Sequence, residues 1–564
     1  MKTLIAAALL AASCPLFATT TEQTIPRAGE TIEVSIVNLD VIVTDRRGHR
    51  IHGLKKDDFE VFEDGKPQPI TNFAAYAPEP RTAIVDSKAG VSMPAQAAEA
   101  PKRQRRTLVI FMESFRLPAP RVHPMFVSLK NTLHDIIAPG DAVLIATWNL
   151  RTATRLDYTD NLAEIDKTLD TLERERTGGI FDAITSYQQE MESIREFYAE
   201  SAAAATAANL PVDAGAADWA ADMEAQNAGE MERIHLREKA AAINSFISTM
   251  SNDDGRKAMI IVMRRFSHIA GGEFFFVGGQ SGLGGMSEQS RYATYDLRDV
   301  IKGTANAHNV TIYAMYPPGL EYPNSSNPAL RGMPPAYASG LEHKILMNEL
   351  TALSDLTDAT GGSYAWGTVN IVDQLPRLRD DFEDYYSLAY RIAARNDNRA
   401  RGVVVKTKNR DYVVRTRKQY MEKDDDGRVR DQVVAALFRP PTPSGIGVEA
   451  TLGQAVPKEK HRYTIPVSVR VPVASLMTTQ DGEKSKGAFT VYIATGRMVG
   501  ETSEITKQTI PFTVEDAKKA KDGFFTYDFN LFTDFATNRL AVGVYDEVSH
   551  DSGFARVDLY GVKN

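Results

Sequence analysis

Four short apolar runs constrain this chain more than any other feature: TLVIFM (107–112), AVLIATW (142–148), AMIIVM (258–263) and VTIYAMY (310–316). Each has the length of a strand and no polar face, the pattern of strands covered on both sides. Between them lie helical patterns. HPMFVSLKNTLHDII carries Phe126, Leu129, Leu133, Ile136 and Ile137 on one face, and Pro139-Gly140-Asp141 stops it. NLAEIDKTLDTLE, DLRDVIKGTANAHN and LMNELTALSDLTDATGG follow, the last closed by Gly361. Strands alternating with helices predict a doubly wound, mainly parallel sheet, an α/β fold, over residues 107–375. Ligands of such sheets sit where strand C-termini meet loops, which puts Glu113, at the end of the first run, on the ligand edge.

The flanks read differently. TIEVSIVNLDVIVTD changes the parity of its apolar residues between Ile36 and Leu39, which predicts a bulge near Val37-Asn38 or two strands. DFEVFEDGKPQPI is a hairpin turning at Asp64-Gly65. This N-terminal β segment (31–76) and a second one (376–420) each hold too few strands for a two-sheet core, and strands of 31–76 can join those of 385–420 in one sandwich. Residues 77–106, rich in Ala, Pro and Glu over their first part, read as a linker. Residues 421–432 read as a charged, solvated connector; the likeness of EKDDDGRVRDQV (422–433) to a calcium loop fails because Val433 falls where a bidentate Glu is required. Residues 433–564 have the strand spacing of a second all-β sandwich. An Ala- and Glu-rich insert at about 187–250, interrupted by NLPVDAG, reads as a helical hairpin forming a solvated arm.

The first 18 residues combine Lys2, a short apolar core and a final Ala18, the pattern of a secretory signal peptide. This places the protein outside the cytoplasm, periplasmic or secreted. Cleavage after Ala18 removes Cys14, the one cysteine of the chain; alternatively Cys14 carries a lipid anchor, although Leu10 stands one position too early for that signal. No later run is apolar enough for a transmembrane helix. A net charge of −8 on 564 residues argues against a nucleic-acid partner, and KRQRR (102–106) is the one strongly basic run. Enzyme signatures are missing: there is no H-E-x-x-H, the ten His are scattered, and GGQSGLGG does not satisfy G-x-S-x-G. The Gly-rich stretch 266–285 is neither a P-loop nor a dinucleotide fingerprint. Its Phe274, Phe275 and Phe276 either form an exposed apolar contact for a protein partner or tuck under the helical insert.

Several phrases, in order, resemble the von Willebrand factor A (VWA)-related proteins of the acidobacterial type: VNLDVIVTDRRGHRIHGLKKDDFEVFEDGKPQPITNF, GDAVLIATW, GRKAMIIVM, ANAHNVTIYAMYPPGL, TDATGGSYAW and YYSLAYR. The resemblance covers roughly residues 31–420. It implies a Rossmann-like VWA domain that binds partners through a metal-ion-dependent adhesion site. There an Asp-x-Ser-x-Ser turn, a Thr and a second Asp supply the hard oxygens that Mg²⁺ or Ca²⁺ prefers. Carried onto this chain, the first Asp becomes Glu113 and the two hydroxyls become Phe115 and Leu117, with Ser114 out of register. The Thr position falls on Gly178, one residue after Thr177, and the final Asp is replaced by Arg264 and Arg265. The resemblance therefore implies a degenerate site holding no Mg²⁺ or Ca²⁺ of the usual kind. Glu113 is expected to pair with Arg264 or Arg265 in place of the ion. The function expected is non-enzymatic protein binding, in adhesion or envelope assembly, through Glu113, Arg264, Arg265 and Phe274–Phe276. A structural envelope scaffold, or a hydrolase or transferase without a recognisable motif, are the alternatives.

Overall fold

The computed structural model describes residues 34–76, 105–113, 119–149, 152–177, 214–251, 255–263, 266–272, 290–316, 335–365, 375–438, 441, 445–458, 462–481, 484–497, 503–519, 521–534 and 537–559. The chain is mixed α/β, with one parallel-containing sheet and several antiparallel ones. The signal-peptide segment with Cys14, nearly all of the linker, and Ser114, Arg264, Arg265 and Phe274–Phe276 lie outside the described residues.

Strands β1 (Val34–Thr44), β2 (Phe59–Glu63), β3 (Lys66–Gln68) and β4 (Ile70–Tyr76) come first. The central sheet is built from β5 (Arg106–Glu113), β6 (Ala142–Trp148), β7 (Thr152–Thr159), β8 (Arg256–Val262), β9 (Val310–Met315) and β10 (Tyr364–Ala365). Their spatial order is β10-β9-β8-β5-β6-β7, parallel throughout except for the antiparallel edge strand β7. Every residue of β5, β6, β8 and β9 is buried. Because side chains alternate across a strand, β5 sends Val109 and Phe111 to one face and Leu108, Ile110 and Met112 to the other.

Helices cover both faces. On the Leu108 face lie α1 (Ala119–Ile136), α2 (Leu162–Thr177) and, later in the chain, Leu375–Glu383, through Phe126, Leu129, Leu169 and Phe382. On the Phe111 face lie α3 (Ala214–Ser248), α4 (Tyr295–Ala307) and α5 (Pro335–Thr360), through Phe246, Ile247, Ile301 and Leu353. The segment Leu375–Glu383 is named α6. From β5 the chain moves outward to β6 and β7, then returns to β8 on the other side of β5. The order of strands thus reverses at β5, and the C-terminal ends of β5 and β8 flank the reversal.

The N-terminal strands do not stand alone. After α6 come β11 (Tyr385–Ala393), β12 (Ala400–Thr407), β13 (Val413–Arg415) and β14 (Gln419–Met421). Sheets β13-β1-β11-β4 and β14-β12-β2-β3 enclose a core of Val37, Leu39, Val41, Phe59, Leu388, Tyr390 and Val403. Strand β1 pairs with β11 in continuous register from Val34↔Ala393 to Val41↔Tyr386, so the bulge expected near Val37-Asn38 does not exist. The parity change has a simpler cause: Ile36 is an outward residue, 54% exposed, while Val37 is buried. The β2–β3 turn has positive φ at both Asp64 (46°) and Gly65 (78°), as a two-residue hairpin with this hand of twist needs.

Two charged stretches fold against expectation. The connector 421–432 is mostly helix: α7 (Asp425–Phe438) begins within it and buries Val429, Val433, Ala436 and Leu437. Its acidic residues Asp425 and Asp426 occupy the first turn, where the helix dipole favours them. The described part of the helical insert is no solvated arm either. Helix α3 buries Leu236, Ala240, Ile243, Phe246 and Ile247, spaced three and four apart, on the central sheet.

The C-terminal strands are β15 (Glu449–Leu452), β16 (Val456–Pro457), β17 (Arg462–Pro472), β18 (Thr479–Asp481), β19 (Lys484–Arg497), β20 (Thr506–Thr513), β21 (Phe524–Asp534), β22 (Thr537–Asp546) and β23 (Ser552–Asp558). One sheet holds β15, β16, β17 and β21, the other β18, β19, β20, β22 and β23, around Val467, Val469, Phe489, Val491 and Val542. Tyr492, Ala541 and Tyr545 on the far face of this second sheet join the core of α3, α4 and α7.

Candidate functional site: the C-terminal edge of the central strands

Glu113 is the last residue of β5 and lies beside Trp148 in the register with β6. Its carboxylate receives the Lys239 ammonium, with Nζ 2.5 Å from Oε1. Both side chains are buried, at 6% exposure for Lys239 and 9% for Glu113. Lys239 sits in the buried stripe of α3 between Leu236 and Ile243, so the packing that holds the helix to the sheet also places its amine. The Glu113 carboxylate thus has a built-in cation from the insert; the expected partners Arg264 and Arg265 lie outside the described residues.

Two helical turns earlier on the same face of α3 is Glu232, also buried. It accepts hydrogen bonds from the Ser267 hydroxyl and the Gly271 amide, both at 2.5 Å, and so fastens the loop after β8. Asn348 of α5 fastens that loop from the other side. Its carbonyl oxygen accepts from the His268 amide (2.8 Å), and its side chain exchanges bonds with the Ile269 amide and carbonyl (2.8 and 2.9 Å). Thr294, just before α4, donates to the Ser267 carbonyl at 2.7 Å. The third buried carboxylate of this edge, Glu349, accepts from the Tyr316 hydroxyl at 2.7 Å. Each of these carboxylates therefore meets a donor.

The outer rim is aromatic. His268 and Tyr295 meet edge to face with ring centroids 4.8 Å apart, and the Tyr295 hydroxyl lies 3.1 Å from Nε2. Burial and then the Arg298 charge hold the His268 imidazole below its usual pKa. Arg298 lies over the Tyr295 ring at 4.8 Å while its Nε binds Asp355 at 2.9 Å.

Thr177 is the last residue of α2. Helices α1 and α2 run antiparallel, as the pairs His134–Asp166 and His123–Glu173 show, so the end of α2 lies with the start of α1 on the Glu113 edge. Of the predicted residues, the structure thus brings Glu113 and the Thr177 backbone to the same edge. Among the described residues no three His, Cys, Asp or Glu side chains converge as a metal-binding group. Nor is any described helix long and apolar enough to cross a membrane. The residues that sequence reasoning missed are Lys239 and Glu232. Their signal was present in the apolar spacing Leu236-Ala240-Ile243-Ile247, which marks a buried helix face inside a segment rich in charge.

No family model matches the chain, and no curated protein matches it. Among solved structures it is similar to Northeast Structural Genomics Consortium target SoR45, at 12% identity over 22% of this chain and 93% of that one, with a TM-score of 0.15. It is also similar to the pilus adhesin SpaC from Lactobacillus rhamnosus GG in its open conformation, at 7% identity over 81% of this chain, with a TM-score of 0.23. This chain spans 52% of the adhesin. Scores this low carry no argument about fold or function.

Proposed function

We propose that this chain is an exported, non-enzymatic binding protein. Its central sheet is a doubly wound VWA-type domain that engages a protein partner, without a metal ion, at the edge carrying Glu113, Arg264, Arg265 and Phe274–Phe276. The observation that supports this reading is the Lys239–Glu113 ion pair at the strand-order reversal. A carboxylate at the position where the resemblance puts the first metal ligand already has a cation of the protein's own. The mainly parallel sheet with helices on both faces supports the doubly wound part of this reading. A direct test titrates Mg²⁺ and Ca²⁺ into the protein by calorimetry. The reading expects no tight binding, and tight binding abolished by Glu113→Ala would overturn it. Crosslinking in envelope extract, comparing wild type with Phe275→Ser, should lose a specific adduct.

A structural scaffold is the second reading, and one observation favours it. Helix α7 makes the core of the central domain continuous with the C-terminal sandwich, through Phe438 on Phe246 (5.9 Å between rings) and through Val433 beside Gly543. Adducts that are the same for wild type and Phe275→Ser would favour the scaffold.

A further inference from the structure

Strand β21 is the long open edge of the C-terminal sandwich. It pairs with β17 over eleven residues, from Arg462↔Asp534 to Pro472↔Phe524, without a register shift. Among the described residues no strand pairs with its other side. Open edges are normally blunted by Lys, Pro, a bulge or short length. Several other edges here follow that rule: β20 carries Lys507 and Pro511, β3 is three residues with Lys66 and Pro67, and β7 has register shifts. Strand β21, FFTYDFNLFTD, has no Lys, Arg or Pro. Its inward residues Phe525, Tyr527, Phe529 and Leu531 pack on the sandwich core yet stay only partly buried. On its outer face Phe532 is 76% exposed, the most exposed of the large hydrophobic residues described.

We infer that β21 is a self-complementary interface that pairs antiparallel with β21 of a second copy of this chain about a twofold axis at Phe529. An edge that no described strand covers calls for an extended backbone, and the sequence tells which one fits. Centred on Phe529, the central residues pair off: Asp528 faces Asn530, Tyr527 faces Leu531 and Thr526 faces Phe532. No Asp opposes an Asp, and the exposed Phe532 ring covers the Thr526 methyl. Centring on Asp528 instead would set that carboxylate against its own copy. The contact is isologous and closes at two chains.

The test uses the full chain carrying Cys14→Ala, so that no other thiol is present. Sedimentation velocity over a range of concentrations should show a monomer–dimer equilibrium. Thr526→Lys with Phe532→Lys sets lysines opposite one another at exposed positions and should weaken the dimer at least tenfold. Independently, Asp528→Cys with Asn530→Cys should form a covalent dimer under copper-phenanthroline oxidation, because facing Cα atoms of antiparallel strands lie about 4.5–5.5 Å apart, within disulfide reach. Asp528→Cys alone faces Asn530 and should not. A wild-type chain that stays monomeric overturns the proposal, whether or not its β21 amides resist hydrogen exchange. So does a dimer that survives both lysines, or one that crosslinks through Asp528→Cys alone.

Discussion

Replacing Lys239 by Met tests whether its ion pair with Glu113 holds α3 on the sheet. At 2.5 Å and an effective dielectric of 20, the gross attraction is about 7 kcal/mol. Desolvating each ion costs several kcal/mol, so the intact pair is worth little against an apolar pair of equal size. Breaking it is another matter. Lys239→Met leaves Glu113 buried without its ammonium, a loss of about 3–5 kcal/mol. Protonation sets a ceiling: neutralising a carboxyl of ordinary pKa near 4.3 costs about 4 kcal/mol at pH 7 and only about 1 kcal/mol at pH 5. The sign follows. Lys239→Met should be strongly destabilised at pH 7 and should approach wild type as the pH falls to 5. For a domain of this size the loss at pH 7 lowers the melting transition by roughly 10 °C. Glu113→Leu with Lys239→Met should recover most of it, giving a coupling of about 3 kcal/mol in the double-mutant cycle. Calorimetric scans of the four proteins at both pH values make the measurement. A Lys239→Met transition within about 2 °C of wild type at pH 7, or a penalty equal at the two pH values, would refute the reasoning.

Three further outcomes follow from the same packing. Gly543→Ala puts a Cβ 2.6 Å from Val433 Cγ2 and should cost about 1–3 kcal/mol; combining it with Val433→Ala should recover part of this, as thermal unfolding would record. Asp381, buried in α6, joins Arg50 and Arg415 of the N-terminal sandwich, and Asp381→Asn should lower stability by about 3–5 kcal/mol, read by urea unfolding. Buried His308 is held below its usual pKa first by desolvation, which outweighs the Asp431 carboxylate 2.5 Å away, with Lys423 and Lys257 opposing its charge. The unfolded imidazole therefore binds a proton first, so stability should fall as pH drops below about 6.5. The lowered Asp431 carboxyl adds a loss only below about 3.8. His308→Gln should flatten the slope of melting temperature between pH 7.5 and 5.5.

The strands of the central sheet were legible because burial on both faces leaves no ambiguity in LVIFM or AMIIV. Strand β7 was not, because TATRLDYT is an edge strand whose residues are half-buried or exposed and mix polar with apolar. The failures at 421–432 and in the insert share one cause. Charge was read as solvation, but these charges are paired. Asp431 receives His308, Lys423 and Ser248, and Asp426 receives Lys507, Arg430 and Tyr492. With its charges satisfied, each helix was free to bury the apolar residues between them. For the candidate site the sequence placed Glu113 at the end of β5 and named Arg264 or Arg265 as its partner; Lys239 was not foreseen, because it is 126 residues away and on an insert that no local pattern ties to β5.

The placement of α7 gives these pairings a common consequence. Asp425 is held by Tyr545, His550 and Arg428, and the burial that raises its pKa is outweighed by these donors, so that it lies below the usual carboxylate range. Desolvation likewise opposes Asp426, yet Lys507, Arg430 and Tyr492 bring it down to about 2. Further along the same helix, Asp431 reaches the ends of α3 and α4 through Ser248 and His308. One helix thus carries three anchored carboxylates, two facing the C-terminal sandwich and one facing the central domain. Apolar contact alone tolerates sliding, whereas a buried carboxylate with fixed donors fixes register. That makes α7 a strut joining the two cores. A strut of this kind sets the direction of the β21 edge relative to the Glu113 edge. In the proposed twofold β21 dimer the two Glu113 edges would therefore be held at one spacing and orientation by α7, not by a flexible linker.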